Sequence, residues 1–523
     1  MSYRVCIPVA GTGSRLGELT RYLNKSLVSI ANRPILSHII EQFPEDAEFV
    51  LPLGYKGHLV REFLRLAYPF RHFFFAEAHP FEGDGSGLGL SLLSCSHLLQ
   101  EPFVFISCDT LVREPIPALA SDWMGYAQRD DLAPYRTLQV VDGAVQAILE
   151  KGVTDRPSLF TYIGLAGIVD YKTFWETMAS GGVDSISGGE SYGLRSLLAK
   201  GVEAHPFTWY DTGIPSALEG AREAYREQNA PHILEKAKEA IWFVGSRVIK
   251  FSDDQSFIRN RVARAKELKG FAPEILSSSP HMYGYHKVEG QVLSAVVTVP
   301  LMRQLLSQSR AFWNPCTLSP SEHEQFRSDC YRFYHDKTLE RVSLFYHKSQ
   351  LRDGEESIND VPMPTLAHLL EKVDWSYLAD GIASRFHGDF HFENILWEPK
   401  SRVFTFLDWR QDFAGSLVRG DIYYDFAKLL HGLFISHELI DLNLFSVAWG
   451  ATEIRYDFHR KQTLVQCEQD FYRWLLENNY DAQKVYLLTA LIFLNIAPLH
   501  HHPYDNLLFA LGKKMLHDHL LSP

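Results

Sequence analysis

The apolar run Val5 to Ala10 breaks at Gly11-Thr12-Gly13, and no other junction narrows the fold as far. Such a run reads as a strand buried on both faces. The small residues that follow let backbone N–H groups turn toward an anion. Within the same stretch, Val9 to Ile30, Arg15 offers a planar donor fork for phosphate oxygens and Lys25 adds a mobile point charge. Glycine after a strand is also the ordinary turn of many α/β proteins, so the surroundings decide. Ile35 to Phe43 has helical spacing, Glu48 to Leu53 reads as a strand, His58 to Leu66 as a helix and His72 to Ala76 as a strand. This alternation predicts a Rossmann-like, mostly parallel α/β sheet with crossover helices, whose ligands lie at the carboxyl ends of the strands.

Two further motifs fall at such ends. Gly83 to Leu93 is glycine-dense and runs into a helix, so Gly85, Ser86 and Gly87 are candidate nucleotide contacts, against a bland reading as a surface loop. Pro102 to Asp109 is an apolar strand delivering a carboxylate. At 523 residues the chain exceeds one ordinary core, so two domains are expected. Its net charge of −12 disfavours nucleic acid as a bulk partner and suits small phosphorylated ligands. The six cysteines form no CxxC pair and read as reduced core thiols of a cytoplasmic protein. No export signal stands at the N-terminus, and Val485 to Leu499, interrupted by Asn495 and Pro498, reads as a buried helix, so no membrane partner is expected. A homo-oligomer is left open.

The order GxGSRL, then Thr20, Lys25-Ser26-Leu27 and Asn32-Arg33-Pro34-Ile35 resembles the signature of the sugar-phosphate and alcohol-phosphate nucleotidyltransferases. The resemblance covers about residues 3 to 225; Asn24 stands where that family usually has proline. It implies that Gly11, Thr12 and Gly13 hold the triphosphate, that Arg15 and Lys25 are catalytic, and that Asp109 and Asp211 bind one Mg²⁺. Glu150-Lys151 and the Gly164-bearing stretch Tyr162 to Val169 would then meet the acceptor. CTP is favoured as the nucleotide and UTP comes next.

Between Arg226 and Ala240 the chain turns polar, which reads as a linker or bridging helix. Ile241 to Phe251 then reads as a hairpin turning at Gly245-Ser246, with Lys250 in its second strand. His387-Gly388-Asp389, Asn394 five residues after that Asp, and Val403 to Trp409 ending near Asp408 resemble the catalytic and metal-binding loops of the aminoglycoside phosphotransferase and choline kinase superfamily. That resemblance implies a bilobal α+β kinase-like domain over 241–523 with a helical large lobe. In it Asp389 meets the substrate hydroxyl, Asn394 and Asp408 hold Mg²⁺, Lys250 meets ATP phosphates, and Glu289 lies in the hinge Lys287 to Gly290. Glu267 is the candidate partner of Lys250, and no glycine-rich loop precedes the hairpin. Asp421 is expected to brace the loop or cap a helix. The run His500 to His502 cannot turn three adjacent side chains to one ion.

The expectation is a bifunctional enzyme. ATP would phosphorylate a small hydroxylated compound, and the nucleotidyltransferase part, residues 1–225, would join the phosphorylated product to a nucleotide for surface polysaccharide or envelope assembly. The alternative keeps the nucleotidyltransferase and makes the second half a binding or regulatory module. Choline, a sugar, a polyol and an amino alcohol are all open as acceptor.

Overall fold

The computed structural model describes residues 3–152, 158–226 and 236–521. The chain divides into two compact units, one of residues 1–255 and 276–287, the other of residues 256–275 and 288–523. Most of the expected linker, 227–235, lies outside the described residues.

In the first unit the described strands of the main sheet run in the order His72–Glu77, Glu48–Leu53, Arg4–Cys6, Phe103–Ile106, Leu159–Ile168, Trp123–Ala127, Glu203–Pro206, Ala144–Leu149, Thr137–Val141. The first four pair in parallel, and the helix Gly57–Ala67 makes one of the crossovers. Beyond them the expectation of a mostly parallel sheet needs correction. Leu159–Ile168 enters antiparallel to both Phe103–Ile106 and Trp123–Ala127, and Ala144–Leu149 is antiparallel to both of its neighbours. No helix is described between Thr110 and Ile168, and without a crossover the chain returns antiparallel.

The boundary at 240 read from sequence also needs correction. The hairpin Glu239–Val244 and Arg247–Ser252, with the strand Met282–His286, belongs to the first unit. The cause is apolar packing. Trp242 is fully buried, its ring edge-on to Phe63 of the Gly57–Ala67 helix at 5.3 Å, and its Nε1 donates to Ser29 Oγ at 2.9 Å. Ser279 Oγ and the His281 backbone N–H both donate to Glu62 Oε2, at 2.7 and 3.0 Å. Burial of one such indole is worth roughly 3–5 kcal/mol when judged by truncation.

The second unit is mainly helical. Ile422–Phe434 is apolar on nearly every face and buried, and it packs on Ala482–Ile496, which in turn packs on Tyr504–Leu521. The described helix Ala482–Leu499 is long and apolar enough to cross a membrane by composition, but 72% of it is buried inside this unit. Two small sheet pieces frame the loops of interest. Ala383–Ser384 pairs with Gly420–Asp421, and Ile395–Glu398 pairs with Val403–Phe406. The loop carrying His387, Asp389 and Asn394 is therefore held at both ends.

Candidate functional site

In the first unit, Thr110–Val112 and Trp209–Asp211 form a short antiparallel ladder that sets Asp211 opposite Thr110, one residue after Asp109. The Thr212 backbone N–H donates to Asp109 O at 3.0 Å. A methyl group at Gly213 would lie 3.1 Å from Asp211 Oδ1 and 3.3 Å from Asp109 Oδ2, so both carboxylates face one small space. Lys25 Nζ sits 2.9 Å from Asp109 Oδ2, and Ser107 Oγ donates to Asp109 Oδ1 at 2.6 Å. Burial would raise the Asp109 pKa, but Lys25 and Ser107 hold it down at about 2. Asp211 accepts from Tyr135 OH at 3.0 Å and from the Gly213 N–H at 2.8 Å. Two carboxylates facing one space fit a Mg²⁺ that takes its other ligands from water and phosphate.

The Gly11 to Lys25 loop is pinned from an unexpected position. Asn24 is fully buried; its Nδ2 donates to Val9 O at 2.9 Å and Tyr55 O at 2.7 Å, while its Oδ1 accepts from Ser26 N and Ser26 Oγ. These bonds do what a proline's ring would do by stiffness. Gly13 has φ 66°, and a Cβ there would meet Lys25 Cβ at 2.8 Å, so glycine is required for Lys25 to lie where it does. Gly11 and Arg15 are exposed and Thr12 is half-buried, and Arg15 has no ion pair among the described residues.

The second glycine stretch divides. Gly85 has φ 80° with open space around it, and Ser86 Oγ donates to Gly83 O at 2.6 Å. Gly87 instead has a packing reason, since a Cβ would stand 2.7 Å from Ile186 O. Gly164, at φ 69°, allows Leu159–Ile168 to bulge beside Ser107, whose Cβ would be 2.9 Å from an added methyl. Glu150 is clamped by Arg136 at 3.0 Å and by Arg195, which lower its pKa against the effect of burial. Lys151 is exposed.

Sequence reasoning missed Tyr135, Arg136, Arg195 and Glu190. Glu190 is buried, and its Oε2 has no hydrogen-bond partner among the described residues. Burial, with Asp109 and Glu150 adding to it, raises its pKa despite Arg136. No local motif marks any of the four.

In the second unit, His387 is fully buried and neutral, its pKa pushed down by burial to about 3. Its Nδ1 accepts from the Asp389 N–H at 3.2 Å, which leaves Nε2 to donate to Leu407 O at 2.8 Å. The imidazole thus ties the Asp389 loop to the Asp408 loop. Leu407 N–H also donates to Asn394 O at 2.7 Å. Asn394 Nδ2 donates to Asp389 O and Oδ2, each at 3.0 Å, so Oδ1 is the atom left to ligate a cation. Asp408 has φ 57° and accepts from Arg261 Nη1 at 3.2 Å. Asn394 and Asp408 fit a Mg²⁺ by donor chemistry, one amide oxygen and one carboxylate on adjoining loops.

Asp389 itself is ion-paired. Lys428 Nζ lies 2.7 Å from Oδ1, and His391 Nε2 lies 3.5 Å from Oδ2. Burial opposes ionisation, but Lys428 and His391 hold the carboxylate well below its usual range. Asp425 braces the loop from beneath, accepting from His387 N and Gly388 N at 2.7 and 2.6 Å, and burial pushes its pKa up to about 6. Asp421 caps the Ile422–Phe434 helix, accepting from Tyr423 N at 3.1 Å and Tyr334 OH at 2.8 Å. Lys428 was the missed residue here; a lone cation in an apolar helix was its signal.

Lys250 is 6% exposed on an inner strand of the hairpin sheet and belongs to the first unit. Glu267 and Glu289 belong to the second unit and are exposed. His500 is half-buried and His501 and His502 are exposed, and among the described residues no group of three His, Cys, Asp or Glu could hold a metal.

Residues 318–458 match the model of the phosphotransferase enzyme family, which spans both the Asp389 and the Asp408 loops. The N-terminal region matches sugar-phosphate nucleotidyltransferases. A probable glucose-1-phosphate cytidylyltransferase of Bacillus subtilis is 38% identical over 71 residues, 13% of this chain. The chain spans 28% of the length of that curated relative. Among solved structures, a UDP-glucose pyrophosphorylase complexed with UDP-glucose is 18% identical, with 43% of this chain and 98% of that chain covered and a TM-score of 0.37. The CTP:phosphocholine cytidylyltransferase of Streptococcus pneumoniae is 16% identical, with 43% and 100% covered and a TM-score of 0.37.

Proposed function

We propose that the chain is a bifunctional transferase with a nucleotidyltransferase centre at Lys25, Asp109 and Asp211 and a phosphotransferase centre at Asp389, Asn394 and Asp408. The observation that carries the reading is the pairing of two constellations in two units, each with a carboxylate kept ionised by a lysine. A domain retained only for binding has no need of His387, Asp389 and Asn394 in one hydrogen-bond network that reaches the Asp408 loop at Leu407.

At the first centre an acceptor phosphate oxygen would attack the α-phosphorus of a nucleoside triphosphate in line, and pyrophosphate would leave. No protein nucleophile is required. Arg15, Lys25 and Lys151 would neutralise charge on the phosphates, with Gly11, Thr12 and Gly13 close to the triphosphate and Gly85 near the base. Mg²⁺, held when bound by Asp109 and Asp211, would supply further charge neutralisation. CTP is the favoured nucleotide and UTP the next; the relative matched over 71 residues, named as a probable cytidylyltransferase, supports that order.

At the second centre Asp389 would orient the acceptor hydroxyl and take its proton as ATP gives up its γ-phosphoryl group. Lys428 keeps Asp389 ionised, and Asn394 and Asp408 would hold Mg²⁺. Consecutive use of the two centres is the natural order, with phosphorylation first, and envelope or capsule precursors are the product class. Cytoplasmic location accords with the free cysteines.

The test uses the full chain with ATP, CTP or UTP and a panel of sugars, polyols and amino alcohols. Asp389→Ala should stop phosphorylation while leaving nucleotidyl transfer to a ready-made phosphate acceptor. Asp109→Asn and Asp211→Asn should stop pyrophosphate release and leave phosphorylation. Normal pyrophosphate release in both of the latter variants would sink the first assignment.

A further inference from the structure

Around Asp389 the second unit gathers more positive charge than its carboxylates can match. Lys337 and Arg341 lie one turn apart on the helix Lys337–Ser349, hence on one face. Lys337 Nζ donates to Tyr424 OH at 3.4 Å and stands 4.3 Å from the centre of the Phe333 ring. The Arg410 guanidinium lies 5.0 Å from that same ring centre. Tyr424 is one turn before Lys428, which reaches Asp389 at 2.7 Å. A continuous path of cations therefore leads from Phe333 to the loop carboxylate.

The counter-charge is missing. Among the described residues Lys337, Arg341 and Arg410 have no carboxylate within ion-pair distance. Asp336, next to Lys337, bonds to His335 instead, at 2.7 Å. Asp412 gives Arg410 Nε only its backbone carbonyl, at 3.0 Å, while its Oδ1 accepts from Gly415 N. Arg341 Nε is buried with no hydrogen-bond partner. Burial, then the charges of Arg410, Lys428 and Arg341, push the Lys337 pKa well below its usual value. Half-buried cations crowded together are costly unless an anion completes them, and this occurs in a chain of net charge −12.

We propose that the phosphotransferase centre takes an anionic acceptor, a hydroxylated compound bearing a carboxylate or a phosphate, gripped by Lys337, Arg341 and Arg410 beside Asp389. The inference rests on the phosphotransfer reading and narrows it. A choline or amino-alcohol acceptor would meet like charge here. The face of Phe333 is already stacked by Lys337 and Arg410, so this ring is not open to cage a quaternary ammonium. In the reaction an O–P bond forms at the acceptor hydroxyl as the γ-phosphoryl bond of ATP breaks, ADP leaves, and the proton goes to Asp389.

Two measurements on the full chain test it. In calorimetric titrations with inorganic sulfate and with acetate, the wild type should bind one of them saturably. Arg341→Gln and Lys337→Met should each weaken that binding about tenfold, while Arg61→Gln, on the Gly57–Ala67 helix of the other unit where it pairs with Glu77, leaves it unchanged. A preference for sulfate indicates a phosphate-bearing acceptor and for acetate a carboxylate. Absence of Arg341-dependent binding of either anion overturns the proposal.

The second measurement follows ATP-dependent phosphorylation of glucose, glucuronate, glucose 6-phosphate and choline. An anionic member should exceed the neutral and cationic ones at least about tenfold in kcat/KM. Arg341→Gln should raise its KM about tenfold and hold the KM for ATP within about twofold. Preference for glucose or choline, or a rise confined to the KM for ATP, overturns the assignment. If Arg341-dependent anion binding appears but ATP phosphorylates none of the four, the anion site stands and the phosphotransfer reading is the one that falls.

Discussion

Lys428 Nζ and Asp389 Oδ1 are 2.7 Å apart, and each is the other's main electrostatic partner. Desolvation at this depth would favour a neutral carboxyl and a neutral amine. The pair keeps both ionised, so the loop presents a carboxylate over the whole physiological range.

Lys428→Met should therefore act through Asp389. Phosphotransfer is expected to fall by about 10² to 10³, and the acid limb of its pH profile should move upward, because a buried carboxylate that loses its cation regains the desolvation that raises its pKa. Rate against pH from 4.5 to 8 checks this; an unshifted limb with the same loss would make Lys428 a packing residue.

Asp109 has a folded pKa of about 2, below its ordinary 3.8. A depressed carboxylate contributes stability that is present above its unfolded pKa and lost as pH falls through its folded one. Lys25→Met should lower stability by about 2 kcal/mol near pH 7, and the gap from wild type should narrow from about pH 5 downward. Urea unfolding at several pH values, read on the transition of the first unit, reports it.

Asn24→Ala leaves Val9 O and Tyr55 O without their donor in a buried site. A loss of about 2 to 4 kcal/mol is expected, with nucleotidyl transfer falling and phosphotransfer retained. Thermal unfolding and both assays together decide it, since equal loss of the two activities would point to general unfolding.

Gly164→Ala places a methyl 2.9 Å from Ser107 Cβ at φ 69°. Ser107 is the donor to Asp109, so nucleotidyl transfer should drop at least about tenfold. Unaltered pyrophosphate release would show that the bulge can relax without moving Asp109.

The motif residues were legible because their chemistry is local. Asp389 and Asn394 lie on one short loop, and Asp109 follows a strand whose apolar run announces it. Even the pairing of Asp109 with Asp211 could be expected, although only the ladder between Thr110–Val112 and Trp209–Asp211 brings them to one space. Asn24 read as a departure from pattern, and its four hydrogen bonds appear only when Val9 and Tyr55 converge on it.

By itself the sequence determined which residues carry charge and oxygen at the ends of strands and loops, since period and spacing act over a few residues. Tertiary structure decided what those groups face. Lys428 reaches Asp389, and Lys337 and Arg410 share Phe333, because separate elements pack there, and no periodicity encodes which faces meet. The same cause moved the hairpin into the first unit. Trp242 finds Phe63 and Ser29 through long-range apolar burial, a free energy that depends on the assembled core and not on the residues beside it in the chain.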